Sequence, residues 1–151
     1  MLELARTRDR ETVNRLAGQV HDSHVAWRPD IYEPVGEIYS AERFAEGISA
    51  REIYVAKLND LVVGYVDVAI REVEDAGVKH RRILLLRSLC VEESLRGHGI
   101  GTAMMQDVFA LGRAFRCSDI QLSVYPQNDA AVSFYQRCGL MIQSINMQKK
   151  I

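Results

Sequence analysis

Apolar residues recur at helical spacing near the start of the chain, with a period of two through its middle, and at helical spacing again after Ile100. Following a short strand at Leu2 to Ala5, the positions Val13, Leu16, Ala17, Val20 and His24 share one face of a helix predicted from Asp9 to Ala26. Pro29 and Pro34 interrupt that pattern. A shorter helix is predicted from Ser40 to Ser49, with Ser40 as its N-cap and Arg43 where a capping box would place Glu. From Ile53 to Leu58 and from Leu61 to Val73 the period-two pattern predicts two strands joined at Asn59-Asp60, residue types that tolerate the positive φ of a tight hairpin. On the second of these strands Val62, Val66, Val68 and Ile70 are expected on one face and Tyr65, Asp67 and Arg71 on the other. The polar stretch Glu72 to His80 forms a second hairpin tip, and the strand after it, Ile83 to Val91, is apolar on both faces and therefore central.

Beyond that strand lie three glycines and a helix with the stripe Ile100, Met104, Val108, Leu111 and Phe115. A fifth strand alternates Ile120, Leu122 and Val124 with Gln121, Ser123 and Tyr125; a short helix runs from Pro126-Gln127-Asn128 to Arg137 and stops at Gly139; a last strand is expected from Leu140 to Lys149. The order is β-α-α-β-β-β-α-β-α-β, an α+β arrangement in which a meander precedes a βαβ crossover.

Composition narrows the class of protein without changing this picture. A chain of 151 residues, 48% hydrophobic and 26% charged, makes one domain with an ordinary core, residues 1–151. Nineteen Lys and Arg against 20 Asp and Glu leave no field to attract nucleic acid or an anionic membrane, so any anion site is local. Cys90, Cys117 and Cys138 form neither a CxxC pair nor an even set, which speaks against disulfides and a zinc knuckle and for a reducing, cytoplasmic location. His21 and His24 stand three apart on a helix with no third ligand in a metal pattern, so no metal is expected.

The segment Leu89-Cys90-Val91-Glu92-Glu93-Ser94-Leu95-Arg96-Gly97-His98-Gly99-Ile100-Gly101-Thr102 sets a buried strand, a short connector and a glycine-rich turn directly before a helix N-terminus. Backbone N–H groups at the positive end of a helix, with no Cβ in the way, suit a pyrophosphate, and Arg96 adds a charge for it; a turn of this kind also serves simply to cap a helix. A dinucleotide fingerprint fails because Thr102 stands where its third glycine belongs, and Asp119 lies at the wrong end of the next strand. A nucleotide-triphosphate loop fails because no lysine occurs from Arg81 through Gln148.

At these residues the chain resembles the GNAT superfamily of N-acetyltransferases. Arg96-Gly97-His98-Gly99-Ile100-Gly101 is similar to its Arg/Gln-x-x-Gly-x-Gly/Ala motif, after a strand ending Leu89-Cys90-Val91. Val124 through Leu140, with Asn128, Ala131, Phe134, Tyr135 and Gly139, is similar to its second signature, with Leu140 in place of the common Phe. The resemblance implies a mixed central sheet, mostly antiparallel and splayed between strands 4 and 5, flanked by helices. It implies acetyl-CoA as cosubstrate, its pantetheine arm bonded to main-chain groups of Leu89 and Val91 beside Cys90, and its phosphates on Arg96, Gly97, His98, Gly99, Ile100, Gly101 and Thr102, with Asn128 in contact or acting as helix cap.

By the same resemblance Tyr135 is the acid that protonates the departing thiolate. The attacking amine must be neutral, and Asp67, Glu92 or Glu93 stand as possible bases; a covalent acetyl-Cys90 route is disfavoured because the cysteine is expected to be buried. The segment from Trp27 to Tyr39 combines aromatics with Asp30, Glu33 and Glu37, and an acceptor pocket of Trp27, Asp30, Tyr32 and Tyr125 would suit a cationic small-molecule or peptide amine. The apolar last strand fits a homodimer. A non-catalytic acyl-CoA sensor or scaffold with the same groove is the alternative reading.

Overall fold

A computed structural model describes residues 1–151. A five-stranded sheet runs in the order β1 (Leu2–Leu4), β2 (Ile53–Leu58), β3 (Leu61–Val73), β4 (Arg81–Val91) and β5 (Asp119–Gln121). All neighbours pair antiparallel except β4 and β5, which are parallel and joined through a helix. Helices α1 (Arg10–Trp27) and α2 (Ala41–Ser49) cover one face; α3 (Ile100–Ala114) and α4 (Asp129–Arg137) lie on the other. Short 3-10 turns at Thr7–Asp9 and Glu93–Leu95 were not expected from the pattern.

Each layer follows from residues already singled out. Helix α1 buries Val13, Leu16 and Ala17 and ends at Trp27, because Pro29 pushes Arg28 out of helical geometry to φ −136. Ser40 caps α2, its Oγ accepting from the Arg43 amide at 3.1 Å. Asn59 and Asp60 take φ of 48 and 65, the positive values that a two-residue hairpin between twisted strands requires. The first core joins α1 and α2 to Ile53, Val55, Tyr65 and Cys90, and the second joins α3 to Tyr54, Val66, Val68, Leu84 and Leu86.

The sheet departs from the sequence expectation in three places. A register shift opposite Ala56 and Lys57 flips the side chains at the start of β3, so Val63 joins the α3 core and Val62 turns to the α1 side, away from Val66 and Val68. The face bearing Tyr65 and Asp67 is not solvent-facing: helices α1 and α2 cover it, and Asp67 is only 5% exposed. The third departure is at the carboxyl end, where the expected last strand from Leu140 to Lys149 is absent. Residues 140–151 form no strand, and Met141, Ile142, Ile145 and Met147 are exposed; without that neighbour β5 stops at Gln121, short of Tyr125. Alternating apolar residues supply a strand's side chains but not its hydrogen-bonding partner, and here the partner is missing.

Candidate active site

The site is set by where β4 parts from β5. Their pairing covers only Ile83–Leu85 against Asp119–Gln121, while β4 continues to Val91, so the edge from Leu86 onward faces an open cleft. An irregularity adds to the divergence: Asp67 pairs with Ser88 and Val68 with Leu86, leaving Arg87 as an extra residue in β4. The Glu92 amide donates to the Val63 carbonyl at 2.8 Å, which by antiparallel alternation turns Cys90 toward β3 and the main-chain groups of Leu89 and Val91 toward the cleft. Close approach of β3 to β4 depends on Gly64, where a Cβ would stand 2.7 Å from the Cys90 carbonyl oxygen.

The turn after β4 presents its backbone in a particular way. Gly97 and Gly99 hold φ of 79 and 82, and Gly99 is the N-cap of α3. A Cβ at either position would meet no atom within 4 Å, so the space above the turn is open. None of the amides from Gly97 through Thr102 donates to a protein acceptor, whereas the next amide, Ala103, bonds Gly99 O at 3.0 Å. A row of unused N–H groups at the positive end of a 15-residue helix is an anion cradle. Gly101 serves packing instead: a Cβ there would stand 3.2 Å from Phe134 Cζ, and this close approach brings α4 against α3.

Arg96 does not reach into this space. Its Nε donates to the Val91 carbonyl at 3.1 Å and its Nη2 lies 4.0 Å from Cys90 Sγ, so it ties the turn back to β4. His98 Nδ1 lies 2.9 Å from the Arg96 carbonyl oxygen. Ile100 is buried under the first turn of α3.

Helix α4 supplies the opposite wall. Asn128 caps it, Oδ1 accepting from the Ala131 amide at 3.1 Å, and Gly139 ends it at φ 94. Tyr135 is half-buried one turn before that end, its ring 5.2 Å from Phe134, and burial pushes its phenol up to about 12. It therefore holds its proton throughout the neutral and mildly alkaline range. Burial also raises the Cys90 thiol, which keeps it protonated and unsuited to nucleophilic attack.

Of the three carboxylates named from sequence as bases, Asp67 and Glu92 are engaged, and Glu93 makes no ion pair. Asp67 accepts from Tyr39 Oη at 2.7 Å and from Arg87 Nε at 3.0 Å, and Arg87 also binds Glu52. Glu92 is paired with Arg15 and caps the following turn through the Glu93 amide at 3.1 Å; the Arg15 hydrogen bond holds its carboxyl below the ordinary value. Sequence reasoning missed Arg87 and Tyr39. Arg87 interrupts an otherwise apolar strand, and that was the available signal.

At the far end of the cleft Trp27, Tyr32 and Tyr125 come together with His24, and the Tyr32 and Tyr125 hydroxyls share a hydrogen bond of 2.9 Å. Asp30 lies beside them but is bound by Arg28 at 2.7 and 2.9 Å and by Lys150 at 3.1 Å. Glu37 is paired with Arg10, on the other side of the loop. The expected aromatics thus come together, while Asp30 and Glu37 are already ion-paired.

Three comparisons bear on this geometry. A family model described as acetyltransferase (GNAT) family matches residues 19–140. Two mutant forms of the BH1408 protein from Bacillus halodurans match 100% of this chain and 99% of their own, at 26% and 27% identity and TM-scores of 0.93 and 0.94. The aminoglycoside N-acetyltransferase AAC(6')-Iy in complex with CoA is 16% identical, with 99% of this chain and 93% of that one covered and a TM-score of 0.74; at that identity the likeness establishes the fold. No curated protein matches the sequence. No helix is long and apolar enough to cross a membrane.

Proposed function

The chain belongs to the GNAT family of acetyltransferases, and on that premise we propose that it transfers the acetyl group of acetyl-CoA directly to a primary amine. The observation that carries this reading is the row of undonated amides from Gly97 through Thr102 at the head of α3, next to the free edge of β4. The residues fit the cosubstrate: the amides of the turn hold its pyrophosphate, and the outward main-chain groups of Leu89 and Val91 hold its pantetheine arm as an added strand would be held. Acetyl-CoA supplies an acyl group activated as a thioester. One of the β4 amides, aimed at the carbonyl oxygen, favours charge developing there.

In the exchange a carbon–nitrogen bond forms as the carbon–sulfur bond breaks; the sulfur takes a proton from Tyr135, and the nitrogen gives one up to solvent, from which the Tyr135 phenolate is reprotonated. From a phenol near 12 to a thiol near 8.5 the transfer is uphill by about 5 kcal/mol, which limits it to the moment when charge has built up on sulfur. The amine must arrive neutral. At pH 7 an ordinary lysine-like amine is neutral only about once in 2,500, a handicap of roughly 4.6 kcal/mol. With Asp67 and Glu92 both ion-paired, desolvation in the aromatic pocket is the better source of that neutral form.

The same pairing of Asp67 and Glu92 is what favours the second reading, a sensor that binds acyl-CoA without turnover. Thiol release from acetyl-CoA across a panel of amines separates the two: amine-dependent release supports transfer, and saturable CoA binding with no release for any amine supports the sensor. The reading places the protein in the cytoplasm and extends to a homodimer that would cover the exposed tail residues Met141, Ile142, Ile145 and Met147, testable by sedimentation.

A further inference from the structure

The four rings at the acceptor end of the cleft are not part of the packed interior. His24 stands 5.1 Å from Tyr32, 5.6 Å from Tyr125 and 6.0 Å from Trp27 by ring centroid, and Tyr32 and Tyr125 meet edge to face at 6.2 Å. All four are half-buried, all line the cleft that Leu89 and Cys90 also line, and none belongs to either hydrophobic core. Rings outside both cores, gathered along the same cleft as Leu89 and Cys90 and left partly open, form a recognition surface.

Charge around them points the same way. The acidic residues on the cleft wall are Asp119 and Asp129, and Asp119 is bound by Arg81 at 2.7 Å. Arg28, Arg81, Arg87, Arg96, Arg113 and Arg137 line the same wall. Asp30, two residues before Tyr32, already has two cationic partners. An acceptor with several ammonium groups would meet a cleft wall on which arginines outnumber carboxylates. His24 adds none, since burial and the neighbouring His21 hold its imidazole below the ordinary value and keep it neutral at pH 7.

We propose that the acceptor is a primary amine carried by an aromatic ring, a monoamine of the arylalkylamine class, seated among His24, Trp27, Tyr32 and Tyr125. The inference rests on the acetyl-transfer reading for its chemistry but not for its test. Face and edge contacts with the rings hold the aromatic body, and its single amine is left for the thioester. Polyamines and aminoglycosides lack the ring and carry the extra charge.

Trp27 is the single tryptophan of the chain, so its emission reports occupancy of this pocket without any turnover. The experiment titrates 2-phenylethylamine and spermidine against Trp27 fluorescence, then measures thiol release with the same two amines and acetyl-CoA. Saturable quenching by 2-phenylethylamine at a concentration at least about tenfold below spermidine is expected, with a matching preference in kcat/KM. Tyr32→Ala should weaken 2-phenylethylamine about tenfold, and Tyr125→Phe, which removes only a hydroxyl, tests the same pocket should the alanine variant fail to fold. Equal affinity for the two amines, preference for spermidine, or no saturable quenching by 2-phenylethylamine would overturn the inference. Selective binding of 2-phenylethylamine without thiol release upholds the pocket and refutes transfer; release that prefers spermidine upholds transfer and refutes the pocket.

Discussion

Every buried residue of this protein lies between Ala5 and Gly112, and from Arg113 to Ile151 none is buried. The first region folds on two cores of its own. The second, with β5, α4 and the tail, has no core of its own: β5 pairs with β4, Phe115, Ile120, Leu122, Phe134 and Tyr135 pack partly buried against the α3 core, and polar ties such as Arg28 to Gln148 at 2.7 Å add to these. The site straddles the boundary: β4 and the glycine turn come from the first region, while Tyr135 and Tyr125 come from the second. On the proposed reading the region with two cores holds the cosubstrate, and the region with no fully buried residue brings the proton donor and an acceptor wall.

Changes in the first region should therefore cost stability and changes in the second should cost rate. The largest effect is expected from Gly64→Val, which forces a side chain against the Cys90 carbonyl at 2.7 Å and Met104 Sδ at 2.9 Å; urea unfolding should show a loss of about 3 kcal/mol. Next is Gly99→Glu, which puts bulk and negative charge on the open turn. CoA affinity should fall about 100-fold, or about 2.7 kcal/mol, by calorimetry. Because Gly99 sits at φ 82, Gly99→Ala is the control for backbone strain of about 1–2 kcal/mol and should keep more of the CoA affinity.

Tyr135→Phe belongs to the second region and should slow turnover about 10- to 100-fold with KM for acetyl-CoA little changed. The pH profile gives a sharper readout. In the proposed mechanism Tyr135 acts as an acid in its protonated form, and burial raises its phenol to about 12, so wild-type turnover should not decline as pH rises through 10 as it would for an ordinary tyrosine. A fall centred near 10 that disappears in Tyr135→Phe would show that burial does not raise the phenol. The smallest effect is expected from ending the chain at Leu140: with none of residues 141–151 buried, unfolding free energy should change by no more than about 0.5 kcal/mol. A large loss there would erase the contrast between the regions.

The sequence was most informative where local chemistry settles the structure. Ser40 and Asn128 as caps, Asn59-Asp60 as a hairpin turn and Gly139 at positive φ each follow from one residue type in one position, and all four are as expected. Neighbours distant in sequence decided the rest. The register shift that moves Val63 inward is invisible in an alternating run, and the last strand was expected from side-chain pattern alone although no edge pairs with it. In the site, the glycine turn was legible because free amides need nothing but backbone. The state of Asp67, Glu92 and Asp30 was not, because Arg87, Arg15 and Lys150 approach them from elsewhere in the chain.

Backbone amide shifts measured by nuclear magnetic resonance as CoA is added report on the proposed cradle itself. The largest changes, with slowed hydrogen exchange, are expected at Gly97 through Thr102 and at Leu89 and Val91. Changes confined to other surfaces, with these amides still and fully exchanging, would contradict it.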